Sequence, residues 1–343
     1  MVLTQRSHVR RPTLEDVARR SGVSKSTVSR VINGEARVRA EVVDRVRRVV
    51  SELGYVPNQA ARQLVTHRTG AVAVVAAQPE NRLFLDPFFD LLLRGIRREL
   101  ALHGAQAVLL FVEEPDDYAR VADYLGGGHV DGAILFSLRP GDRLAEMTDR
   151  LALPAVFGGR PLLRDGDTVH RHAYVDGDNR GGARQAVQHL VALGRQRIAT
   201  VAGPYDQEHS AADRLAGYQD VLLDAPAELV ERADYTRQGG ADAMAALLDR
   251  RPDLDAVFVA SDLMASGALQ ILRERGRRVP EDVAVVGFDD LASIAESTDP
   301  PLTTVHQDVP EMGRLLARLL VRDEAPQPPS VVVPTRLVRR ASA

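Results

Sequence analysis

The chain has 343 residues, a formal net charge of −3 and no cysteine. Its length exceeds that of one ordinary domain, and the lack of cysteine excludes disulfide bonds and thiolate chemistry. No apolar run approaches the roughly 20 residues that cross a bilayer, and the basic N-terminal segment lacks the apolar stretch of a signal peptide. These features predict a cytoplasmic protein of more than one domain.

Charge divides the chain into a basic head and an acidic body. Residues 1–69 hold 14 Lys and Arg against six Asp and Glu, a net charge of +8, which leaves −11 for residues 70–343. This distribution is typical of a nucleic-acid-binding module attached to a module that does not meet phosphates. A basic surface that faces only solvent is the alternative.

The segment Thr13–Asn33 predicts two short helices joined by a turn at Gly22. Apolar side chains recur at helical spacing on both helices: Leu14, Val17, Ala18, Val28, Val31 and Ile32. Ser24 can cap the second helix, because its hydroxyl accepts a hydrogen bond from a backbone N–H. Four polar side chains remain on the outer face of this helix: Lys25, Ser26, Ser29 and Arg30. Such a helix fits the major groove of DNA, so the segment predicts a helix-turn-helix.

A third helix is predicted over Arg39–Leu53, with an apolar stripe and with Gly54 past its end. Arg39 offers no hydroxyl to cap the helix, which should weaken its start by about 1 kcal/mol at most.

From Ala71 onward the pattern changes to short apolar runs separated by amphipathic stretches such as Phe88–Leu102. Seven runs are predicted to be buried strands: 71–77, 107–112, 132–136, 154–157, 198–202, 256–259 and 283–286. Strands without polar alternation that are joined by helices indicate parallel sheets covered on both faces. Because the runs form two sets, they predict two doubly wound subdomains.

These motifs resemble, in order, those of the lactose/galactose-repressor (LacI/GalR) family of bacterial transcription regulators. The resemblance rests on Thr13–Asn33, Glu52–Asn58, Ala61–Leu64, Val201–Pro204, Arg214–Tyr218, Ala260–Asp262, Val285–Asp290 and Pro301–Val305. It implies an all-α helix-turn-helix head and an α/β, periplasmic-binding-protein-like body. That body would consist of two doubly wound parallel-sheet subdomains, between which the chain crosses three times.

The domain organisation follows from this frame. We expect a DNA-binding domain at 1–57, a hinge helix and linker at 58–69, and an effector-binding and dimerisation domain at 70–343. Subdomain 1 is expected at about 70–163 and 303–322, and subdomain 2 at about 172–292 and 328–340. The crossings are then predicted near Leu163–Tyr174, Leu291–Val305 and Val321–Ser330.

The predicted DNA contacts fall into two groups. Lys25, Ser26 and Arg30 are expected to reach base edges, and Arg30 suits the O6 and N7 atoms of guanine. Five residues are expected to bind phosphates and fix the register: Thr13, Ser24, Thr27, Ser29 and Asn33. The resemblance adds Tyr55, Asn58, Ala61 and Leu64 to the DNA-binding set.

In the family, the segment that corresponds to Asn58–Leu64 is a hinge helix that orders when two copies meet over the minor groove. Leu64 holds the place of a leucine that wedges between base pairs, although it could instead pack against its own domain. An apolar wedge unstacks a base step and bends the duplex. We therefore expect Leu64→Ala to lower operator affinity much more than nonspecific affinity in a DNA titration. Equal losses on the two DNAs would contradict the wedge.

The effector site is expected in the cleft, because ligands of open parallel sheets lie beyond the carboxyl ends of strands. Six residues are predicted to contact the effector: Phe88, Arg160, Arg214, Ser261, Asp262 and Asp289. Arg214 and Asp289 match effector-contacting positions of the family. Asp86 is expected to cap the following helix instead. Ser261 stands where some sugar-responsive members have asparagine, which leaves the identity of the effector open.

The sequence thus predicts a regulator, most simply a repressor of carbohydrate-utilisation genes, that binds operator DNA as a homodimer and a mono- or oligosaccharide as effector. Pro326, Pro328 and Pro329 exclude the leucine-heptad tail of tetrameric members. A purine or another metabolite as effector, or a role as an activator, stays open. An uptake binding protein and a carbohydrate enzyme are less favoured, because the chain has a basic head and no nucleophile elbow, phosphate loop or zinc motif. We expect no cofactor, no metal and no membrane contact.

Overall fold

The computed structural model describes residues 12–32, 38–56, 68–77, 80–136, 143–161, 172–206, 208–321 and 330–343. The chain divides into two compact units, residues 1–69 and residues 70–343. No helix in the described part of the chain is long and apolar enough to cross a membrane.

Three helices lie in the described part of the first unit: α1 (Leu14–Ser21), α2 (Lys25–Ile32) and α3 (Ala40–Leu53). Thr13 begins α1 with a capping box, in which its hydroxyl oxygen accepts from the N–H of Asp16 and the Asp16 carboxylate accepts from the N–H of Thr13. Gly22 ends α1 with φ at 66°, a left-handed conformation that glycine adopts without steric cost. The predicted turn between the two helices is confirmed.

The core of the first unit is built from one fully buried valine on each helix: Val17, Val28 and Val46. The Ser24 hydroxyl accepts a hydrogen bond from the N–H of Thr27 at 3.2 Å, so the predicted cap of α2 is confirmed. Arg39 precedes α3 without a side-chain cap, also as predicted. Because α2 turns its valines inward, its polar residues are left on the outside.

The second unit alternates strands and helices. Its helices are α4 (Glu80–Leu85), α5 (Pro87–Leu102), α6 (Pro115–Gly126), α7 (Leu144–Arg150), α8 (Asn179–Ala192), α9 (His209–Val221), α10 (Arg237–Arg250), α11 (Asp262–Glu274), α12 (Ala292–Ala295) and α13 (Val309–Val321). Its strands are β1 (Ala71–Ala76), β2 (Gln106–Phe111), β3 (Ala133–Phe136), β4 (Ala155–Gly158), β5 (Ala173–Gly177), β6 (Ile198–Ala202), β7 (Val230–Arg232), β8 (Ala256–Val259), β9 (Ala284–Asp289), β10 (Thr303–His306), β11 (Ser330–Val333) and β12 (Arg336–Val338). The seven predicted strands are all present, with ends shifted by a few residues at most.

The strands form two sheets. The first has the order β11-β5-β4-β3-β1-β2 with parallel neighbours, and the second has the order β12-β10-β9-β8-β6-β7, in which only β12 runs antiparallel to its neighbour. Alternate residues of β1 belong to different hydrophobic clusters, Val72 and Val74 to one and Ala73 and Val75 to the other. Both faces of the sheet are therefore covered, which is why its strands lack polar alternation. We call each sheet with its covering helices the first and the second subdomain.

The chain crosses between the subdomains at three neighbouring places, after β5, after β10 and after β11. The N–H of Asp178 donates to the carbonyl of Val333 at 2.9 Å, and the Thr335 hydroxyl donates to the carbonyl of Asp178 at 3.2 Å. A Cβ on Gly177 would lie 2.6 Å from Oε1 of Gln307, so the second crossing packs directly against the first. The three crossings form one compact connection.

The predicted subdomain boundaries are wrong at these crossings. Residues 173–177 and 330–333 were predicted in subdomain 2, but they form β5 and β11 of the first sheet. Residues 303–306 were predicted in subdomain 1, but they form β10 of the second sheet. In each case the chain completes one more strand before it crosses. An apolar strand has the same pattern whichever sheet it joins, so the sequence does not reveal its sheet.

Candidate ligand cavity and nucleic-acid interface

A cavity with about 950 Å³ of empty space, its open mouth included, lies between the two subdomains. The first subdomain lines it with residues at or beyond the ends of β3, β4 and β5 and at the start of α5. The second subdomain contributes residues at or beyond the ends of β8 and β9 and on the first half of α9. The cavity therefore occupies the position that parallel sheets favour for ligands.

One wall of the cavity is apolar and aromatic. Its residues are Phe88, Phe89, Leu92, Phe136, Met312 and Leu316. The rings of Phe88 and Phe89 meet edge to face, with centroids 5.5 Å apart. Phe88 is half-buried and lines the cavity. Such a wall can cover the apolar face of a ring-shaped ligand.

Arg214 on α9 lines the cavity and is only 6% exposed. Its Nε donates to Oδ1 of Asn179 at 2.9 Å, and its Nη1 donates to the carbonyl of Ala260 at 2.5 Å. Its guanidinium lies 3.8 Å from the ring centroid of Phe288, and Nη1 lies 3.4 Å from the carboxylate of Asp289. The planar group is thus fixed in orientation before any ligand binds.

Asp289 ends β9 beside Arg214 with φ at 112°, a conformation that costs a non-glycine residue about 1–3 kcal/mol. Its Oδ1 accepts a hydrogen bond from Nε2 of Gln307 at 2.6 Å. Burial, opposed by the charge of Arg214 and reinforced by the charge of Asp86, raises the pKa of Asp289 to about 7. The carboxyl group is therefore poised between its charged and neutral forms near neutral pH.

This raised pKa predicts a pH effect on stability. Between about pH 4 and 7 the folded chain keeps a proton on Asp289 that the unfolded chain has lost, so this group's contribution to the free energy of unfolding falls as the pH rises. Asp289→Asn removes that dependence. The free energy of unfolding of the variant, measured by urea titration relative to the parent, should increase from pH 4 to 7 and then level off. A difference that stays constant over this range would contradict the assignment.

Buried polar residues of the cavity that the sequence did not predict include Asn179 and Asp176. Asn179, at the start of α8, donates through Nδ2 to Oδ1 of Asp176 at 2.9 Å while its Oδ1 accepts from Arg214. Asp176, at the end of β5, also accepts from the N–H groups of Arg160 and Gly177, and burial raises its pKa. These residues link the first subdomain to Arg214 through a chain of hydrogen bonds.

The other residues at the cavity differ in their contacts. Arg160 follows β4, lines the cavity and pairs with Asp213; its Nε is buried without a hydrogen-bond partner among the described residues. Ser261 lines the cavity, but its hydroxyl caps α11 by accepting from the N–H of Met264. Asp86 caps α5 as predicted and also lines the cavity.

Asp262 is not among the described residues that line the cavity, so the structure does not support its predicted contact with the effector. It is fully buried, accepts from the Thr304 hydroxyl at 2.5 Å and accepts from the N–H of Leu291 at 2.8 Å. Burial, and next the charge of Asp289, raise its pKa well above the usual value. These bonds tie α11 to β10 and to the turn after β9, which is a structural role.

The outer face of α2 carries the predicted DNA contacts. Ser24, Lys25, Ser26 and Arg30 are exposed, and Thr27 and Ser29 are half-buried. Ser24 lies 2.8 Å from both the Ser26 and the Thr27 hydroxyl oxygens, and Nζ of Lys25 lies 3.1 Å from a carboxylate oxygen of Glu15. The polar groups are therefore grouped at the start of the helix, where backbone N–H groups also favour anions.

Other predicted DNA contacts are placed differently or not described. Thr13 is exposed, but its hydroxyl takes part in the capping box of α1. Tyr55 is 8% exposed and belongs to the core of the first unit. Asn33, Asn58, Ala61 and Leu64 lie outside the described residues.

Known proteins show the same two parts. The protein-family model "Bacterial regulatory proteins, lacI family" matches residues 13–58, and the family model "Periplasmic binding protein-like domain" matches residues 187–343. The HTH-type transcriptional regulator CelR of Thermobifida fusca is 48% identical over 340 residues, which cover 97% of this chain and 98% of CelR.

Two solved structures extend the likeness to three dimensions. The complex of CelR with cellobiose is 46% identical with a TM-score of 0.76, over 97% of this chain and 100% of that chain. The lac repressor dimer bound to operator and the anti-inducer ONPF is 29% identical with a TM-score of 0.83, over 97% and 99% of the two chains.

This chain belongs to the lacI family of bacterial regulatory proteins. It is a DNA-binding transcription regulator and not an enzyme, so the family, the fold class and the non-enzymatic role predicted from the sequence are confirmed.

Proposed function

We propose that the chain represses carbohydrate-utilisation genes and that a small neutral sugar in the cavity controls its affinity for operator DNA. The observation that carries this proposal is the buried Arg214, held beside Asp289 and Asn179 and opposite an aromatic wall. Hydroxyl groups both donate and accept, so a polyol can bond to a guanidinium and to carboxylates together. The aromatic wall suits the apolar face of a sugar ring.

The charges of the cavity favour an uncharged ligand. Four acidic residues line it: Asp86, Asp176, Glu208 and Asp289. Its two arginines already have carboxylate partners, Asp213 for Arg160 and Asp289 for Arg214. A phosphorylated sugar would meet net negative charge without an unpaired cation to offset it. The relative solved with cellobiose supports a β-linked disaccharide, and cellobiose is the first candidate.

On the DNA side, we propose a homodimer that binds a pseudo-palindromic operator, since two-fold protein symmetry requires two-fold DNA. The dimer of the lac repressor on its operator supports this arrangement. Lys25, Ser26 and Arg30 would contact bases, and Ser24, Thr27 and Ser29 would contact phosphates. The regulator would act in the cytoplasm, where operator DNA is found.

Control of operator affinity requires that the sugar binds two arrangements of the subdomains with different affinity. The three neighbouring crossings give the second unit one compact connection about which the subdomains can close. A ligand that contacts both subdomains stabilises the closed arrangement. The factor by which it shifts the open–closed equilibrium is set by how much more tightly it binds the closed arrangement than the open one.

Isothermal titration calorimetry of the full chain tests the ligand class. The panel is cellobiose, glucose, a phosphorylated disaccharide and adenine. We expect saturable binding of cellobiose and none of adenine or of the phosphorylated sugar. If adenine binds and none of the sugars does, the effector is a purine and the sugar proposal is contradicted.

A further inference from the structure

A second arginine of the cavity, Arg160, joins the two subdomains through a side-chain ion pair, in addition to the crossings. It follows β4 in the first subdomain, and its Nη2 lies 2.9 and 3.0 Å from the two carboxylate oxygens of Asp213 on α9 in the second subdomain. The two side chains are 34% and 31% exposed, so they lie at the partly open side of the cavity. Arg160 lines the cavity, whereas Asp213 is not among its lining residues.

Other ion pairs among the described residues of the second unit join residues of one subdomain. Arg318–Glu99 lies within the first, and Arg180–Asp220 and Arg340–Asp290 lie within the second. An ion pair inside one subdomain is unaffected when the cleft opens. Arg160–Asp213 would break on opening, because its two partners belong to different subdomains.

The backbone at Arg160 is fixed from the side of the first subdomain. Its N–H donates to Oδ2 of Asp176 at 3.2 Å. Asp213 is fixed equally well, because it precedes Arg214 on α9, and Arg214 is held by Asn179 and Ala260. Burial, and next the charge of Arg160, lower the pKa of the neighbouring His209, so at neutral pH its uncharged ring does not compete for Asp213.

We infer that the Arg160–Asp213 ion pair stabilises the closed arrangement of the two subdomains and thereby sets how tightly the sugar is retained. The inference rests on the proposed function, since it concerns the same cavity. Arg160 acts here as a positioning residue, and Asp213 acts only through Arg160. A partly exposed pair of this kind changes an equilibrium about two- to five-fold.

The test compares Arg160→Gln, Asp213→Asn and the double variant by calorimetric titration of the full chain with cellobiose. We expect each single variant to raise the Kd about two- to five-fold and the double variant to raise it no further, because either change removes the same pair. We also expect salt to weaken sugar binding by the parent and to leave the variants unchanged, since salt screens only an existing pair.

Arg180→Gln and Asp220→Asn are the matched controls. This pair has the same chemistry, with Nη2 to Oδ1 at 2.6 Å, and also involves α9, but it lies within the second subdomain. These variants should bind cellobiose like the parent, and thermal melts should show that all variants fold.

Other outcomes overturn the inference. If Arg160→Gln weakens sugar binding and Asp213→Asn does not, Arg160 is a direct ligand contact and the pair has no role. If the two effects add, the residues act independently. If the parent binds cellobiose and all variants match it, the pair does not control closure, whereas a parent that binds no sugar contradicts the proposed function itself.

Discussion

Arg214→Ala is expected to abolish the response to sugar while operator affinity without sugar stays at the parental level. The guanidinium makes hydrogen bonds to Asn179 and Ala260 and an ion pair to Asp289, so its loss removes a charged ligand contact and the group that orients two others. The loss of two charge-assisted hydrogen bonds between the guanidinium and the sugar would raise the sugar Kd by about 100-fold. Calorimetry with cellobiose and operator titrations measure the two effects separately.

The variant should still fold. Removing one partner of a buried pair is costly when the other charge stays uncompensated, but Asp289, with its pKa raised to about 7, can take up a proton. Arg214→Lys keeps the charge without the planar donors and should lose most of the sugar affinity as well. Arg180→Ala, on an exposed pair of α8 and α9, is the control. A parental sugar response in Arg214→Ala would exclude Arg214 from the site.

Arg30→Ala is expected to lower affinity for the operator by about 5- to 150-fold and to relax specificity at one base-pair position of each half-site. A bidentate arginine–guanine contact contributes about 1–3 kcal/mol of discrimination. Arg30 is exposed on the outer face of α2, and that helix is held by the buried Val28 and Val31. Titrations against operators that carry each single base change would locate the position.

Arg48→Ala is the matched control for this experiment. It removes the same charge from an exposed position on α3, so both variants should lose nonspecific affinity by similar amounts. Only Arg30→Ala should change the ranking of operator sequences. An unchanged ranking would mean that Arg30 binds phosphate and reads no base.

The sequence predicts those parts of the fold that depend on local pattern. Continuous apolar runs such as Ile198–Ala202 are confirmed as strands because both faces of each sheet are buried. The strand β5 was missed, because Asp176 and Gly177 interrupt its apolar pattern. The strands β7 and β12 have only three residues each and include charged residues, so no apolar run marks them. The crossings depend on which sheet a strand joins, and no local signal records that choice.

The candidate site was predictable to a similar extent. Arg214, on the helix that follows β6, and Asp289, at the end of β9, belong to family motifs, and both line the cavity. Asp262 shares such a motif, yet its carboxylate turns to Thr304 and Leu291 and stays away from the cavity, which only the packing of α11 decides. Asn179 was missed because a polar residue at a helix start is common. Its position directly after the end of β5 is a usable signal once that strand is known.

The central claim is that a sugar controls DNA binding by this chain, and fluorescence anisotropy of the full chain tests it most directly. The DNA is the region upstream of the chain's own gene, with a random duplex of equal length as the reference, and each titration is run with and without cellobiose and adenine. We expect a tight complex on the upstream DNA, which cellobiose dissociates and adenine leaves intact. Upstream DNA bound no better than random DNA, or a complex that no sugar alters, would contradict it.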